Sequence, residues 1–355
     1  MSGAQNYFDN AATTPLDPQV LDAMLPFLRE SFGNPNSLHT SGLEAREAVE
    51  TARHHVSGLL GCSSDEIVFT SGASESNNWV LQSFHDVVVS PFEHSSVFET
   101  ARALDFRTLD ADMWSLESPE DCELVSVMTV NNETGAIIEP PTGLPPATFL
   151  HRDVTQSVGK LQIDLKDIDF ASMSAHKLYG PKGIGALYIK NAVHLEPLLY
   201  GGEQEGGQRA GTLNVPAIVG FGKACELALE RKAADLDHVQ SLREVLVGTL
   251  AKVPDSRLIE GDTNSPYIAS VSFLGIEGEP LVVEADNRGF AVSSGAACSS
   301  RSTEPSHVLT DLGLEPEWIR GVVRVSLSRH NTLESLDKLI KVLTESVENL
   351  RSQGK

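Results

Sequence analysis

Apolar residues recur along the chain at two different spacings, and the changes between them predict an alternation of helices and strands. A first helix begins after Asp17, which can cap it, with Pro18 at its first position and apolar residues at helical spacing as far as Leu28. Gly33 and the residues that follow it end this helix. Helical spacing returns in residues 43–60, about 219–250 and 331–351.

Strands are predicted where apolar, β-branched residues form short runs instead. These runs are residues 66–70, 86–90, 124–130, 148–151, 169–173, 185–189, 268–273 and 322–327. Gly, Pro and Asn separate them and helical stretches lie between several of them, which favours a largely parallel sheet covered on both faces. The composition changes again near residue 250, where we place the main domain boundary.

Length and charge narrow the possible classes of protein. The chain has 355 residues, enough for two domains at ~100–200 residues each. Its formal net charge of 27 − 49 = −22 argues against a general nucleic-acid binder and against electrostatic adhesion to an anionic membrane. No run approaches the ~18 apolar residues of a membrane span, and the first ten residues do not resemble a secretory signal, so we expect a cytoplasmic protein. The four cysteines, Cys62, Cys122, Cys225 and Cys298, form neither a disulfide framework nor a metal-binding pattern.

Polar residues follow several of the predicted strands, where chemistry gathers in open α/β sheets. Residues 71–76 leave a strand and open a helix, so Ala73 and Ser74 either bind a phosphate or only cap that helix. Asn132 follows a later strand and is explained equally well by a turn. Asp153 follows the next one and either caps a helix or holds a ligand.

A lysine after the strand that follows carries more information. Lys177 comes just after Ser174 and His176 and precedes a glycine-rich segment. A buried lysine with a lowered pKa suits Schiff-base chemistry, whereas the alternative is a surface lysine in a loop. With a phosphate cradle, Asp153 and His94, Lys177 completes what pyridoxal 5′-phosphate needs: an anchor, a partner for its aldehyde, a partner for its pyridine nitrogen and a stacking imidazole.

Cys298 differs from the other cysteines in its surroundings. Ser, Gly and Ala surround it and no apolar run is adjacent, whereas Cys225 lies in an apolar stretch. The sequence therefore predicts an accessible thiol in a loop, a setting in which a thiolate can react. The alternative is a surface thiol without a role.

The motifs and their order resemble those of the cysteine desulfurases, pyridoxal-phosphate enzymes of the class V aminotransferase group. The resemblance runs from residue 7 to about 345 and is densest in residues 8–15, 33–35, 69–77, 93–94, 130–135, 153–156, 174–183, 209–212, 294–298 and 304–306. It implies an α/β fold of the aspartate-aminotransferase type. A large cofactor-binding domain with a mainly parallel sheet would span residues 14–250, and a smaller α/β domain, formed by residues 1–13 and 251–355, would carry the catalytic cysteine.

The resemblance implies an activity and a role for each site residue. L-cysteine would become L-alanine while its sulfur remains as a persulfide on Cys298. Lys177 would hold the cofactor and move protons, and His94 would stack on its ring. The other implied cofactor contacts are Asp153 to the pyridine nitrogen, Gln156 to the ring hydroxyl, Ala73, Ser74, Ser174 and His176 to the phosphate, and Thr212 to the phosphate of the neighbouring subunit in a homodimer. Asn132 and Arg324 would bind the substrate carboxylate, and Asn132 would contact the cofactor as well. The resemblance implies no metal.

The segment around Cys298 resembles the long-loop subgroup, which passes sulfur to iron–sulfur scaffold or sulfur-carrier proteins. The chain departs from the family at Gly206, where an arginine is usual, and at Glu203, where glycine is common. Four prolines in residues 140–146 exclude a helix expected between Asn132 and Asp153. Residues 78–93 are also shortened. These departures bear on the subunit interface and on partner surfaces.

Two other functions remain open at this stage. A class V aminotransferase or a carbon–sulfur lyase acting on another amino acid would need no reactive thiol. A scaffold without catalysis would not need Lys177, Asp153 and His94 together.

Overall fold

The computed structural model describes residues 3–191, 193–295 and 305–353. Within these ranges the helices are α1 (Pro18–Arg29), α2 (Thr40–Leu60), α3 (Ala73–Gln82), α4 (Ser95–Ala103), α5 (Val215–Leu250), α6 (Gly278–Asn287), α7 (His307–Asp311), α8 (Pro316–Arg320) and α9 (Leu333–Gln353). The strands are β1 (Ile67–Thr70), β2 (Val87–Val89), β3 (Arg107–Thr108), β4 (Ala111–Asp112), β5 (Ser115–Leu116), β6 (Leu124–Ser126), β7 (Phe149–Asp153), β8 (Phe170–Ser174), β9 (Gly185–Ile189), β10 (Ser256–Leu258), β11 (Ile268–Phe273), β12 (Ser293–Ser294) and β13 (Val322–Ser326).

The larger sheet has the strand order β1-β9-β8-β7-β6-β2-β3. The strands from β8 to β3 pair in parallel, whereas β9 runs antiparallel to both of its neighbours. The prediction of a mainly parallel sheet is confirmed. Its parallel part brings the carboxyl ends of β6, β7 and β8 to one edge, because parallel strands end on the same side of a sheet.

Helices cover both faces of this sheet. Helices α1, α2 and α5 contribute to the core on one face, and α3 and α4 to the core on the other. Neighbouring strand residues divide between the two cores: Val68 packs with α3, whereas Phe69 packs with α5. This burial on both faces explains why the strands read as continuous apolar runs rather than alternating ones.

A buried histidine joins three central strands. His151 on β7 is completely buried, with Nδ1 2.8 Å from Ser126 Oγ on β6 and Nε2 2.9 Å from Ser172 Oγ on β8. Burial lowers the pKa of His151 to about 4, so the ring is neutral at neutral pH. This polar side chain is therefore satisfied inside the sheet.

The second sheet is antiparallel, with the order β10-β11-β13-β12. Its core includes residues of α6 and α9, the second half of α5 and two residues of the N-terminal arm, Phe8 and Ala11. The arm is held by backbone hydrogen bonds from Phe8 N–H to Ala291 O (2.8 Å) and from Ser326 N–H to Phe8 O (2.7 Å). Because α5 contributes to both cores, the domain boundary near residue 250 stays a prediction.

Most predicted elements coincide with observed ones, and one is wrong in length. The strands predicted at 185–189 and 268–273 match β9 and β11. The strand predicted over 124–130 ends at Ser126, although Val127 and Thr129 still donate backbone hydrogen bonds to β7. Residues 139–147 contain no helix, as their prolines predict. Among the described helices, none has the length and apolarity needed to span a membrane.

Candidate active site

A cavity of about 270 Å³ opens at the carboxyl ends of the central strands. All but two of the predicted site residues line it: Ala73, Ser74, His94, Asn132, Asp153, Gln156, Ser174, His176, Lys177 and Arg324. The two exceptions are Thr212 and Cys298. Thr212 is exposed in the loop before α5 and does not line this cavity, and Cys298 lies outside the described residues.

The first turn of α3 forms one end of the cavity. The N-cap residue of α3 is Gly72, at φ 154°, so no side chain caps this helix. The Ala73 N–H donates instead to Ser174 Oγ (2.7 Å), which ties the helix start to the end of β8. A helix N-terminus carries a partial positive charge and unpaired N–H groups, so this end of the cavity suits an anion.

His176 lies at the same end and is neutral. Its Nδ1 is 3.0 Å from Thr13 Oγ1 of the N-terminal arm. Burial, together with the charges of Lys177 and Lys182, lowers the pKa of His176 to about 4. A neutral imidazole can still donate one hydrogen bond to an anion, but the positive charge at this end of the cavity comes from the lysines.

The N-terminal arm also forms a wall beside Lys177. The Lys177 ammonium donates to the carbonyl oxygens of Ala11 and Ala12, the second at 2.8 Å. Gln156 Nε2 donates to the same Ala11 oxygen at 2.9 Å. A second lysine, Lys160, is buried behind Gln156, and burial with the charge of Lys177 lowers the pKa of Lys160 to about 7.

Asp153 and His94 also line the cavity. Asp153 ends β7, and its carboxylate accepts hydrogen bonds from the Thr155 N–H (2.9 Å) and from Asn77 Nδ2 (2.8 Å). His94 is the N-cap residue of α4, and its Nδ1 accepts from the Ser96 N–H (3.1 Å). Burial lowers the pKa of His94, so the ring is neutral at neutral pH.

Arg324, on β13 of the second sheet, brings a buried positive charge to the cavity. It is 2 % exposed, and it donates to the Asn132 carbonyl (2.8 Å) and to Asp9 Oδ1 (2.8 Å). Its Nε is buried and finds no hydrogen-bond partner among the described residues. Because Arg324 lines the cavity, its buried positive charge suits an anionic ligand such as a carboxylate.

Two ion pairs that are at least partly buried hold the segment that leads to Thr212. Glu205 pairs with Arg53 of α2 at 2.8 Å and accepts the Phe69 N–H at 2.7 Å. Arg209 pairs with Glu75 of α3, also at 2.8 Å. Gly206 has φ 63°, a left-handed conformation that suits glycine, so the departure from the family pattern at this position is compatible with the local backbone.

Some residues that line the cavity were not predicted from the sequence. They are Ala11, Ala12, Ser96, Met128 and Thr155. Ala11 and Ala12 lie in a segment that resembles the family, but alanine has no chemistry that would single it out. Ser96 carried a local signal, because a polar residue two positions after His94 at a helix start is typical of capping.

Comparison with known proteins identifies relatives over almost the whole chain. Residues 6–339 match the family Aminotransferase class-V. Cysteine desulfurase IscS 1 of Archaeoglobus fulgidus is 39% identical over an alignment that covers 98% of each chain. A solved NifS-like protein superposes with a TM-score of 0.90 at 36% identity and covers 98% of this chain and 100% of its own. The structure of SspA in complex with cysteine has a TM-score of 0.76 at 31% identity, covering 92% of this chain and 100% of that one.

These similarities confirm the fold and the family that the sequence motifs indicate. The fold is the aspartate-aminotransferase type, with a mainly parallel large sheet and a second, smaller sheet. The identity to the archaeal relative extends over both sheets and the N-terminal arm, so it is not confined to one motif. The chain thus belongs to the class V aminotransferase family and, within it, to the cysteine desulfurases.

Proposed function

We propose that this protein is a pyridoxal-phosphate-dependent cysteine desulfurase. In the net reaction, L-cysteine and the Cys298 thiol give L-alanine and a persulfide on Cys298, so the substrate's carbon–sulfur bond breaks and a sulfur–sulfur bond forms. The observation that carries the proposal is the cavity itself, which combines an anion-binding helix end, Lys177, Asp153 and the buried Arg324. The relatives supply the substrate, since they are named cysteine desulfurases and SspA is solved with cysteine.

The cavity fits pyridoxal 5′-phosphate in its donor set. The uncapped start of α3, with Ser74, Ser174 and His176 beside it, suits the phosphate. Lys177 supplies an amine for the aldehyde, and Asp153 a carboxylate for the pyridine nitrogen. When bound, this cofactor supplies an electron sink for the bonds of an amino acid.

The chain's own residues would hold that cofactor in place and transfer protons at the reacting atoms. The Lys177 amine would hold the aldehyde and afterwards exchange protons with the substrate. Asp153, fixed by two N–H donors, would keep a proton on the pyridine nitrogen. His94 would stack on the ring, and Gln156 would turn from the Ala11 carbonyl to donate to the ring hydroxyl.

Arg324 and Asn132 would orient the substrate. The Arg324 guanidinium is already fixed by Asp9 and by the Asn132 carbonyl, and it lines the cavity. A planar guanidinium held in this way recognises a carboxylate with little loss of entropy. The α-carboxylate of cysteine is the group that we assign to it.

The other three cysteines are unsuitable as sulfur acceptors, which supports the assignment of this role to Cys298. Burial raises the pKa of Cys62 to about 12 and also raises the pKa of Cys122 and of Cys225. Each of them therefore stays a thiol at neutral pH, and the nucleophile in sulfur chemistry is the thiolate. None of these three lines the cavity.

The proposal is tested by incubating the protein with L-cysteine and measuring alanine, pyruvate and bound sulfur. We expect alanine, together with a mass gain of one sulfur on Cys298 that a reductant removes. Cys298→Ser should keep the cofactor absorbance, and that absorbance should still change on adding cysteine, but no alanine should form. Cys62→Ser is the matched control and should keep the activity.

A different product would contradict the proposal. Pyruvate in place of alanine would identify a lyase, and full desulfuration by Cys298→Ser would reject the nucleophile. Lys177→Ala should lose both the cofactor absorbance and the activity. A Lys177→Ala protein that turns over cysteine at the wild-type rate would reject the assignment of the cofactor site.

Two further features of the proposed reaction involve other proteins: the acceptor of the sulfur on Cys298, and a contribution of a second subunit to the phosphate site. We propose an iron–sulfur scaffold or a sulfur-carrier protein as the acceptor, as the similarity to the long-loop subgroup implies. We further propose a homodimer in which Thr212 reaches the phosphate site of the neighbouring subunit. Its exposure in the single chain, outside the cavity, supports this arrangement.

A further inference from the structure

A chain of hydrogen bonds joins two of the residues that are proposed to contact the cofactor ring, His94 and Asp153. Asn77 of α3 is completely buried, and its Nδ2 donates to Asp153 Oδ2 and to Ser96 Oγ, both at 2.8 Å. Ser96 Oγ lies 2.8 Å from His94 Nδ1. The chain therefore runs from Asp153 through Asn77 and Ser96 to His94.

The groups at the two ends of this hydrogen-bonded series, Asp153 and the Ser96 backbone N–H, determine the donor and the acceptor of each hydrogen bond in it. A carboxylate only accepts, so Asn77 must present its amide nitrogen to Asp153. At the other end the Ser96 backbone N–H only donates, so His94 Nδ1 must be an acceptor (3.1 Å). The Ser96 hydroxyl accepts from Asn77 and consequently donates its own proton to His94.

These directions determine which nitrogen of His94 carries the proton. Because Nδ1 accepts from Ser96, the proton of the neutral imidazole must be on Nε2. The remaining oxygen of Asn77, Oδ1, is buried and lacks a partner among the described residues. The Asn77 amide makes hydrogen bonds only through its nitrogen among the described residues. Its orientation is therefore determined by Asp153 and Ser96 rather than by general packing.

We propose that Asn77 and Ser96 are positioning residues that hold His94 as the Nε2–H tautomer and align it with Asp153. The consequence for the reaction rests on the proposed function, because there His94 and Asp153 act on one cofactor. The two residues need not touch the cofactor or the substrate. Asn77 donates both to the carboxylate and to the Ser96 hydroxyl, and that hydroxyl donates in turn to the imidazole.

The proposal is tested by NMR of the full-length protein labelled with ¹⁵N and ¹³C in the histidine rings, as purified and loaded with pyridoxal 5′-phosphate. The signal of His94 is the one lost in His94→Gln. We expect an unprotonated Nδ1 and a protonated Nε2 in both forms. Ser96→Ala removes one donor to the neutral ring and should raise the pKa of His94 by about half a unit to one unit.

Matched variants separate positioning from packing. Ser96→Thr keeps the hydroxyl and should restore the pKa of His94, and Ser95→Ala removes the neighbouring hydroxyl and should leave it unchanged. Asn77→Asp is nearly isosteric, but it makes Ser96 donate to the new carboxylate and adds a negative charge, and both changes should raise the pKa of His94 further than Ser96→Ala does. The charged and titratable groups that act on His94, namely Asp153, Lys177 and His307, are the same in the serine variants, whereas Asn77→Asp adds a carboxylate.

Two results would overturn the proposal. One is a proton on Nδ1 of His94 in the wild-type protein, and the other is a Ser96→Ala variant whose His94 titrates as in Ser95→Ala. Neither measurement depends on turnover. A protein that makes no alanine from cysteine but shows these shifts would reject the proposed function and leave the positioning role intact.

Discussion

Glu93 precedes His94 and is a carboxylic acid enclosed by the protein. It is 1 % exposed, its Oε1 accepts the Met128 N–H at 2.7 Å, and its Oε2 is buried without a partner among the described residues. Burial, reinforced by the charge of Asp153, raises the pKa of Glu93 to about 8. The folded protein therefore holds this proton over a pH range in which the unfolded chain has lost it.

This proton makes stability depend on pH in a definite direction. Between the ordinary carboxyl pKa and about 8 the folded state binds more protons than the unfolded state, so stability falls as the pH rises. Glu93→Gln mimics the neutral acid and keeps the acceptor for Met128. We expect the variant to gain on the order of 3 kcal/mol relative to wild type as the pH rises from 5 to 8, measured by urea unfolding. A difference that stays constant over this range would show that Glu93 is ionised in the folded protein.

At the scale of elements, the long helix α5 packs closely against α2 at one glycine and is open to solvent at another. A Cβ on Gly222 would lie 2.5 Å from the Ala52 Cα, which is backbone and cannot move aside. A Cβ on Gly248 would meet nothing within 4 Å. The same substitution in one helix should therefore have opposite effects.

We expect Gly222→Ala to destabilise the fold by about 1–3 kcal/mol, because α2 and α5 must separate. Gly248→Ala should stabilise it by about 0.5–1 kcal/mol, because alanine loses less backbone entropy in a helix. Chemical denaturation of both variants beside the wild type measures the two changes. Equal effects of the two substitutions would mean that the close approach of α2 and α5 is not maintained in solution.

At the scale of the whole molecule, the proposed homodimer makes each site depend on both chains. Lys177 lines the cavity of its own chain, whereas Thr212 is exposed outside it. In a dimer with shared sites, a subunit carrying Lys177→Ala can still donate its Thr212 to a partner that carries Thr212→Ala. Each mixed dimer then has one complete site.

Unfolding and refolding an equal mixture of these two variants should restore about a quarter of the wild-type activity, because about half of randomly formed dimers are mixed and each has one complete site. Each variant alone should fall clearly below that level. Sedimentation of the wild type provides the companion measurement. A fully active monomer would rule out a shared site, and so would a mixture no more active than the average of its components.

The local sequence was sufficient for the elements and for most of the residues that carry the proposed chemistry. Helix α2 and strands β9 and β11 follow from spacing alone, because burial imposes a period on the apolar residues of each element. Lys177 and Asp153 could be singled out because each follows a buried strand, and parallel strands end at one edge. The family followed from the order of such segments.

The tertiary structure alone decided how those residues are connected. Three sets of contacts join residues that are far apart in the chain. Lys177 donates to the Ala11 carbonyl, Arg324 donates to Asn132 and Asp9, and Asn77 and Ser96 connect Asp153 with His94. Spacing within a segment contains no information about such contacts, and the pKa values of Glu93 and His94 depend on burial that only packing creates. The sequence by itself therefore determined the elements, the family and the chemical groups. The fold determined which of those groups are buried, how their hydrogen bonds are directed and which of them line the cavity.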